Sequence, residues 1–358
     1  MSRTRILLAA ALTAALLLPC AASAKKPHSA ARQTPQAGPL YGARADVVAF
    51  ASDIAETHGL DAAWALRELA QARRIASVQR LIMPAPAGTT KNWAAYRSRF
   101  VEARRIAAGV DFWRQHEAAL QRAELRWGVP AQIVVAIIGV ETYYGRLTGG
   151  YRVIDALATL SFDFPAGRKD RSEFFRGELA EFLVLCLREH LDPQRVKGSF
   201  AGAIGLAQFM PSSLNRMAVD FDGDGHIDLS ASGDDAVGSV ARFLADAGWQ
   251  RGEPTHFGVA VPVDSAERAA LLLPDILPSF SAAQFAERGA VLDAAGRAYA
   301  GPLALVELQN GERAASYVAG TRNFYAITRY NWSSYYAMAV IELGAALAAQ
   351  RDAQPTPR

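Results

Sequence analysis

One acidic residue stands at the end of a long apolar segment, in a setting that suits proton transfer. Residues 129–145 read VPAQIVVAIIGVETYYG, and Glu141 is the one acid among them. It follows two isoleucines at helical spacing, so all three share one face of a helix. Desolvation raises the pKa of such a carboxyl toward the value that a general acid needs near neutral pH. The alternatives are an exposed Glu on a last helical turn, or one paired with Arg146 or Arg152.

A glycine-rich segment is the second candidate for chemistry. Residues 198–213 read GSFAGAIGLAQFMPSS. Glycines allow unusual backbone angles and the close approach of a ligand. The Gln208 amide offers donors and an acceptor suited to a sugar or acetamido group, and Phe209 and Met210 offer apolar faces. The alternative interpretation is a tight turn between two helices.

An acidic loop follows, with the opening spacing of an EF-hand. Its candidate metal-binding residues are Asp220, Asp222, Asp224 and His226. The carboxylates occupy loop positions 1, 3 and 5, Gly225 occupies position 6, and His226 would contribute its backbone carbonyl. Position 12 is Ala231 instead of the usual Glu. Because three acids so close repel one another, the spacing favours bound Ca²⁺ over a metal-free turn.

Helical periodicity surrounds these segments. Residues 111–127 form an amphipathic pattern that Gly128 ends, and Pro130 opens a helix over 131–144. Short apolar runs between about 254 and 308 predict strands or irregular connections. The pattern is helical from 43 to about 130, and further helices are predicted over 153–160, 172–191, 211–218, 234–247 and 332–349.

Composition places the chain among globular proteins. It has 358 residues, of which 51% are hydrophobic and 20% charged, with a mean hydropathy of +0.04. A net charge of +3 is too balanced for a nucleic-acid partner, so none is expected. The two cysteines offer no disulfide framework, and Cys186 lies in an apolar run as a core thiol.

The first 24 residues have the pattern of a secretory signal peptide. Two arginines precede an apolar run, and the small residues of 22–24 form a cleavage site. We therefore expect a soluble periplasmic protein. The alternative is lipidation at Cys20, which would attach the protein to a membrane. It fits less well because Pro19 stands where a small residue is expected.

Four motifs in one order resemble the B-type lytic murein transglycosylases, glycoside hydrolase family 103. The sequence ETYYG at 141–145 precedes the run GAIGLAQFMPSS of 202–213. The acidic loop follows, and NFYAITRYN at 323–331 with YYAMAV at 335–340 completes the set. Together they span about 43–348.

The resemblance implies a mainly α (α+β) fold: a lysozyme-like helical catalytic core with an additional helical lobe and a small mixed α/β lobe. The C-terminal segment would pack on the helical lobe. The expected organisation is a signal peptide at 1–24, a linker at 25–40, an N-terminal helical region at 41–128, the catalytic core with its Ca²⁺ loop at 129–252, the mixed lobe at 253–320 and the C-terminal helical segment at 321–350.

The resemblance also implies cleavage of the β-1,4 bond between N-acetylmuramic acid and N-acetylglucosamine in peptidoglycan, leaving 1,6-anhydromuramyl ends. Glu141 would be the single acid and then base, and Ser199 would orient it. Substrate-binding positions carried over from the family are Ser199, Gln208, Phe209, Met210, Tyr330, Asn331, Tyr336 and, less securely, Tyr96. Peptidoglycan glycan strands are the expected partner, and other cell-wall enzymes are candidate partners.

Two further points concern the family pattern. A later Asp closes the family's calcium loop, which makes Asp235 the candidate ligand, with Asp228 and Asp234 as alternatives. Calcium would be structural, and no organic cofactor is expected. The family often has Tyr where Phe243 stands, so one hydroxyl contact is missing.

Three other functions are weighed against a transglycosylase. They are a noncatalytic peptidoglycan-binding or scaffolding protein, a muramidase that adds water, and a calcium sensor, which usually pairs two EF-hand loops.

Overall fold

A computed structural model describes residues 38–84 and 90–353. The signal peptide, Cys20 and most of the expected linker lie outside the described residues. The described chain divides into two compact units, each named here for one of its residues. The Gln208 unit comprises 38–84 and 148–216, and the Glu141 unit comprises 90–147 and 217–353. Labels below follow chain order.

The Gln208 unit is helical, with one two-stranded ribbon. Its elements are α1 (Ala45–His58), α2 (Ala62–Ala70), α3 (Ala76–Leu81), β1 (Tyr151–Arg152), α8 (Val153–Phe162), α9 (Ser172–Arg188), β2 (Lys197–Gly198) and α10 (Pro211–Met217). The antiparallel pair β1 and β2 stands before the glycine-rich segment. Helices α8 and α9 pack together and bury Leu157, Phe182 and Cys186. Burial raises the pKa of the Cys186 thiol, which agrees with an inert core residue.

The Glu141 unit holds the other helices and one four-stranded sheet. Its elements are α4 (Trp93–Arg97), α5 (Ala103–Gln115), α6 (Glu117–Trp127), α7 (Ala131–Thr142), α11 (Gly233–Asp246), β3 (His256–Ala260), α12 (Ser265–Leu272), α13 (Ala282–Glu287), β4 (Val291–Leu292), α14 (Ala294–Ala298), β5 (Ala304–Asn310), β6 (Arg313–Gly320), α15 (Arg322–Thr328) and α16 (Ser334–Asp352). The bounds of α7, α11 and α16 match the predicted segments closely, whereas α12, α13 and α14 lie where strands or irregular connections were predicted. The mainly helical fold class is confirmed.

Helix α7 is apolar on nearly every side and is therefore a core helix. Seven consecutive residues, 133–139, are buried in it. Pro130 precedes it as the N-cap, and Tyr143 ends it in the left-handed conformation. Helices α5, α6, α11 and α16 all pack against α7. Glu141, the only acid of residues 129–145, therefore lies in the last turn of a helix whose other turns are enclosed.

The sheet of the Glu141 unit has the order β4-β3-β6-β5, and every pair is antiparallel. It covers a small core that includes Phe257, Phe285 and Leu305. The apolar pattern predicts β3 and β5, whereas β6 lies outside the predicted runs. The two-residue turn between β5 and β6 is Gly311-Glu312, and Gly311 has φ 69°, a conformation that glycine adopts readily in hairpin turns.

The predicted helix over 111–127 is interrupted in the structure. His116 ends α5 and begins α6, with φ −114° and ψ 25°. Its Nδ1 lies 2.7 Å from Asp234 Oδ1, and Gly233 leaves room for its ring. The break therefore follows from a long-range contact that local periodicity does not encode.

Within the described residues, no single helix is long and apolar enough to cross a membrane. The pair α6 and α7 meets the criteria of length and composition together, but it is bent by 116°.

We predict that Glu178 stabilises the Gln208 unit by capping α10. Its carboxylate is 3% exposed and accepts bonds from Ser212 N at 2.9 Å and Ser212 Oγ at 2.7 Å. Glu178→Ala leaves those donors unsatisfied, so the free energy of unfolding should fall by about 2–3 kcal/mol. Urea unfolding measures it. Glu178→Gln keeps one acceptor and the shape, so it should lose less. Equal stability of Glu178→Ala and wild type would contradict the capping role.

Candidate active site

Glu141 meets a phenol from the C-terminal helix. Tyr336 Oη donates to Glu141 Oε1 at 2.7 Å. Tyr336 lies in the first turn of α16, where Ser333 Oγ accepts its backbone N–H and caps the helix. Because α16 packs along α7, the two helix ends bring acid and phenol together.

The pKa of Glu141 is raised from 4.5 to about 8, and burial is the cause. The hydrogen bond from Tyr336 opposes the rise because it stabilises the ionised form. The arginines that the sequence offered as partners have other contacts. Arg152 binds Asp155 at 2.7 Å within the Gln208 unit, and the Arg146 guanidinium lies over the Tyr143 ring. Glu141 is therefore a protonated acid at neutral pH.

Three predicted groove tyrosines surround this carboxyl. The Tyr330 and Tyr336 rings stack with centroids 6.3 Å apart, and both side chains are buried. Burial raises the pKa of Tyr96, Tyr330 and Tyr336, and the Glu141 charge raises each further. The phenols therefore stay neutral. Asn331 stands in the same unit, partly exposed, directly after Tyr330.

Phe243 occupies the place where the family often has Tyr. Its ring lies 4.7 Å from the Tyr330 ring and is buried. The substitution removes a hydroxyl from the cluster and keeps the aromatic packing, so the wall beside Tyr330 remains apolar.

The backbone after Glu141 is strained in a way that the sequence analysis missed. Tyr143, Tyr144 and Gly145 have φ of 53°, 58° and 83°. Non-glycine residues rarely adopt this conformation. The Tyr144 hydroxyl fits against Gly139, where an added Cβ would lie 2.5 Å from it. The sequence signal that could have revealed this contact is Gly139, because a glycine among bulky residues in a helix marks a place of close packing.

In the Gln208 unit, the predicted orienting residue Ser199 closes a tight turn. Its Oγ accepts from Ala203 N at 3.0 Å and from Ala201 N at 3.3 Å, so its hydroxyl proton is available for another acceptor. Gly202 has φ 89°, and a Cβ there would meet the Leu157 side chain at 2.4 Å.

Gln208 is held in the left-handed conformation at φ 51°. Its amide Nε2 donates to Gly205 O at 2.8 Å and to Thr148 O at 3.1 Å. The backbones of Ile204 and Phe209 bond to each other and close the turn. Phe209 and Met210 are buried in this unit. The segment is thus a turn, as the alternative interpretation held, and it also fixes the Gln208 amide in place.

The acidic loop brings three of the predicted carboxylates together. Oxygens of Asp220, Asp222 and Asp235 lie within 4.8 Å of one another. Asp235 is 1% exposed and accepts from Phe221 N at 2.7 Å and Asp228 N at 2.9 Å. Burial raises the pKa of Asp235, and the charge of Asp222 adds to the rise. A hard cation would relieve this repulsion, so the residues present fit Ca²⁺.

The other candidates in the loop lie outside that group of three. The Asp224 carboxylate accepts from His226 N at 2.8 Å. Asp228 accepts from Ser230 N and Ala231 N, and Asp234 binds His116. Of the three acids considered for closing the loop, Asp235 is the one aimed at Asp220 and Asp222.

We predict that wild-type stability falls with pH relative to Glu141→Gln. A carboxyl whose pKa is 4.5 unfolded and about 8 folded stabilises the protein fully below pH 4.5, and the contribution is lost as pH rises through 8. The full effect is roughly 3–5 kcal/mol. Urea unfolding at pH 5 and pH 8.5 measures the difference between the two proteins. A difference that does not change with pH would contradict the raised pKa.

Comparisons with known proteins identify the family of this chain. The family described as "Transglycosylase SLT domain" matches residues 42–345. Membrane-bound lytic murein transglycosylase B of Escherichia coli (strain K12) is 41% identical over 311 residues, which cover 84% of this chain and 82% of that protein.

Two solved structures resemble most of the chain. Soluble lytic transglycosylase SltB1 of Pseudomonas aeruginosa is 40% identical with a TM-score of 0.77, covering 86% of this chain and 100% of that chain. Lytic transglycosylase Slt35 of E. coli, in complex with calcium, is 39% identical with a TM-score of 0.76, covering 89% and 97%. The family predicted from the motifs is confirmed: the chain belongs to the transglycosylase SLT-domain family of lytic murein transglycosylases.

Proposed function

We propose that the protein is a lytic transglycosylase of peptidoglycan. It cleaves the β-1,4 bond between N-acetylmuramic acid and N-acetylglucosamine and leaves 1,6-anhydromuramyl ends. The observation that carries this proposal is Glu141, a partly exposed carboxyl at the end of α7 whose pKa is raised to about 8 and which accepts a hydrogen bond from one phenol. The family match and the name of the E. coli relative support murein as the substrate.

In the first step Glu141 acts as an acid. With a pKa of about 8 it carries its proton at pH 7 and gives it to the glycosidic oxygen, which leaves with the N-acetylglucosamine end. The C–O bond to the muramyl C1 breaks, and the sugar centre becomes cationic. Attack by the muramyl 2-acetamido oxygen on C1 stabilises that cation, so the protein need not supply a second carboxylate.

In the second step the same carboxylate acts as a base. It takes the proton of the muramyl C6 hydroxyl, whose oxygen attacks C1. The bond between C1 and the acetamido oxygen breaks, which restores the acetamido group as the 1,6-anhydro ring closes. Tyr336 donates to the carboxylate and stabilises it between the two steps. An intramolecular hydroxyl has a far higher effective concentration than water, so ring closure outpaces hydrolysis.

Substrate contacts are proposed on both units. In the Glu141 unit, Tyr96 and Asn331 are partly exposed and can reach a sugar, whereas Tyr330 and Tyr336 act from behind the carboxyl. In the Gln208 unit, we assign the fixed amide of Gln208 to an acetamido group. Ser199 keeps the substrate-binding role that the family resemblance implies for it, and Phe209 with Met210 supports the Gln208 turn.

We also propose that Asp220, Asp222 and Asp235 bind a structural Ca²⁺, joined by Asp224 and the His226 carbonyl as the loop tightens. The three-carboxylate group and the calcium complex of Slt35 support this proposal. Periplasmic location after signal-peptide cleavage belongs to the same proposal. Lipidation at Cys20 stays the alternative, since the E. coli relative is membrane-bound.

We predict that murein digested by the protein carries 1,6-anhydromuramyl ends. Mass spectrometry should show muropeptides one water lighter than lysozyme products. Glu141→Gln should reduce the rate by at least about a hundredfold, because it cannot move the proton. The matched control is Glu312→Gln, an exposed acid of the same unit in the turn between β5 and β6, which should retain full activity.

The products of digestion distinguish a transglycosylase from the two alternative functions that also act on or bind murein. Reducing muramyl ends would identify a hydrolytic muramidase. Binding of murein without any cleavage by the wild-type protein would identify a noncatalytic binding protein.

A second prediction concerns the cation. Ca²⁺ at about 100 times its Kd should add roughly 2.7 kcal/mol to the free energy of unfolding, because the unfolded loop binds it poorly. Melting curves with EDTA and with excess Ca²⁺ measure the gain. Asp222→Asn should remove most of it, while Asp246→Asn, an exposed acid on α11, should keep it. Coincident curves for the wild type would show that the loop holds no metal.

A further inference from the structure

Trp332 is the one aromatic side chain of the described residues that is exposed. It retains 49% of its accessible surface, whereas every other Phe, Tyr and Trp is buried or partly buried. It stands in the loop that joins α15 to α16. An exposed indole offers a flat apolar face and one polar N–H, a combination that suits contact with a ligand that is itself partly apolar and partly polar.

The indole is held in place from one side. The Arg329 guanidinium carbon lies 3.5 Å from the ring centroid of Trp332. Arg329 Nη1 in turn donates to Tyr325 Oη at 3.2 Å. One face of the ring is therefore covered by a stacked cation, and the exposed surface belongs to the other face and the edge. A ring fixed in this way loses little side-chain entropy when a ligand stacks on it.

The loop connects Trp332 directly to the candidate active site. Asn331 precedes it, and Ser333, which follows it, caps the helix whose Tyr336 bonds Glu141. Four virtual bonds separate the Cα atoms of Trp332 and Tyr336, so they lie within about 15 Å of each other. The indole therefore stands close enough to Glu141 for one polymer to reach both.

We infer that Trp332 is an outer binding platform for the glycan strand, on which one N-acetyl sugar stacks against the free face of the indole. The inference rests on the proposed function, because a glycan at Glu141 is the occupant it requires. A β-linked pyranose has an apolar face of C–H bonds and polar hydroxyls at its rim. Such a ring can cover the indole while its hydroxyls remain in water.

Binding is tested in the Glu141→Gln background, in which the substrate stays intact. Glycan strands freed of peptides by an amidase are titrated, and tryptophan fluorescence is recorded. The emission of Trp332 should shift on binding, and adding Trp332→Ala should raise Kd about three- to tenfold. Trp332→Phe keeps a flat ring and should recover most of the affinity. Leu273→Ala removes another exposed apolar side chain of the same unit and should leave Kd unchanged.

Kinetics on the same strands supply a second readout. In the otherwise wild-type enzyme, Trp332→Ala should raise KM by the same factor and change kcat little, because the platform does not touch the reacting atoms. Equal Kd and equal KM in Trp332→Ala and its parent would overturn the inference. So would a change of oligomeric state in Trp332→Ala with unchanged glycan affinity, since that result would identify a contact between protein chains.

Failure of the proposed transglycosylase function and failure of the Trp332 platform give different results. If the wild-type protein yields no anhydro ends, the transglycosylase proposal fails, but the fluorescence titration still reports whether Trp332 binds glycan. If anhydro ends form and Kd is insensitive to Trp332, only the platform fails.

Discussion

The structure depends on keeping one carboxyl group, that of Glu141, in surroundings that disfavour its charge. An apolar helix enclosed by its neighbours supplies the desolvation, and that desolvation raises the pKa to about 8. A single phenol then limits the rise by binding the ionised form. The proposed mechanism needs both influences, because in it the group gives a proton and later accepts one, and a carboxyl stabilised in only one form would complete only half of that cycle.

That arrangement determines where the neighbouring backbone is strained. The chain has to leave the core directly after Glu141, and it does so through three consecutive residues in the left-handed conformation. The contact of Tyr144 with Gly139 fixes this exit against the helix. Residues in such conformations persist only when surrounding packing holds them, and here α5 and α16 pack against α7 on adjacent sides. The strained residues therefore lie beside Glu141, and the packing of α5 and α16 against α7 offsets the free-energy cost of their conformation.

Sequence reasoning identified the elements that are determined locally. Apolar periodicity placed α7, and the presence of one acid in it identified Glu141. Two features depend on distant residues and were out of reach: the break at His116 is set by Asp234, and Tyr336 reaches Glu141 only because α16 folds back on α7. Tyr336 was predicted only through the family resemblance, because its motif is distant from Glu141 in the sequence. The strand β6 was missed although Gly311 marked the turn before it, and the exposure of Trp332 can be read only from the folded chain.

A second buried carboxyl in the same unit shows why burial alone does not make an acid. Asp235 is more deeply buried than Glu141, but it accepts backbone N–H groups from Phe221, Asp222 and Asp228. Those donors favour its ionised form, and the facing carboxylates of Asp220 and Asp222 make a cation the natural counter-charge. Glu141 faces a neutral phenol and aromatic rings. The number of fixed donors aimed at a buried carboxyl therefore decides whether it serves as a ligand for a cation or as a reservoir for a proton.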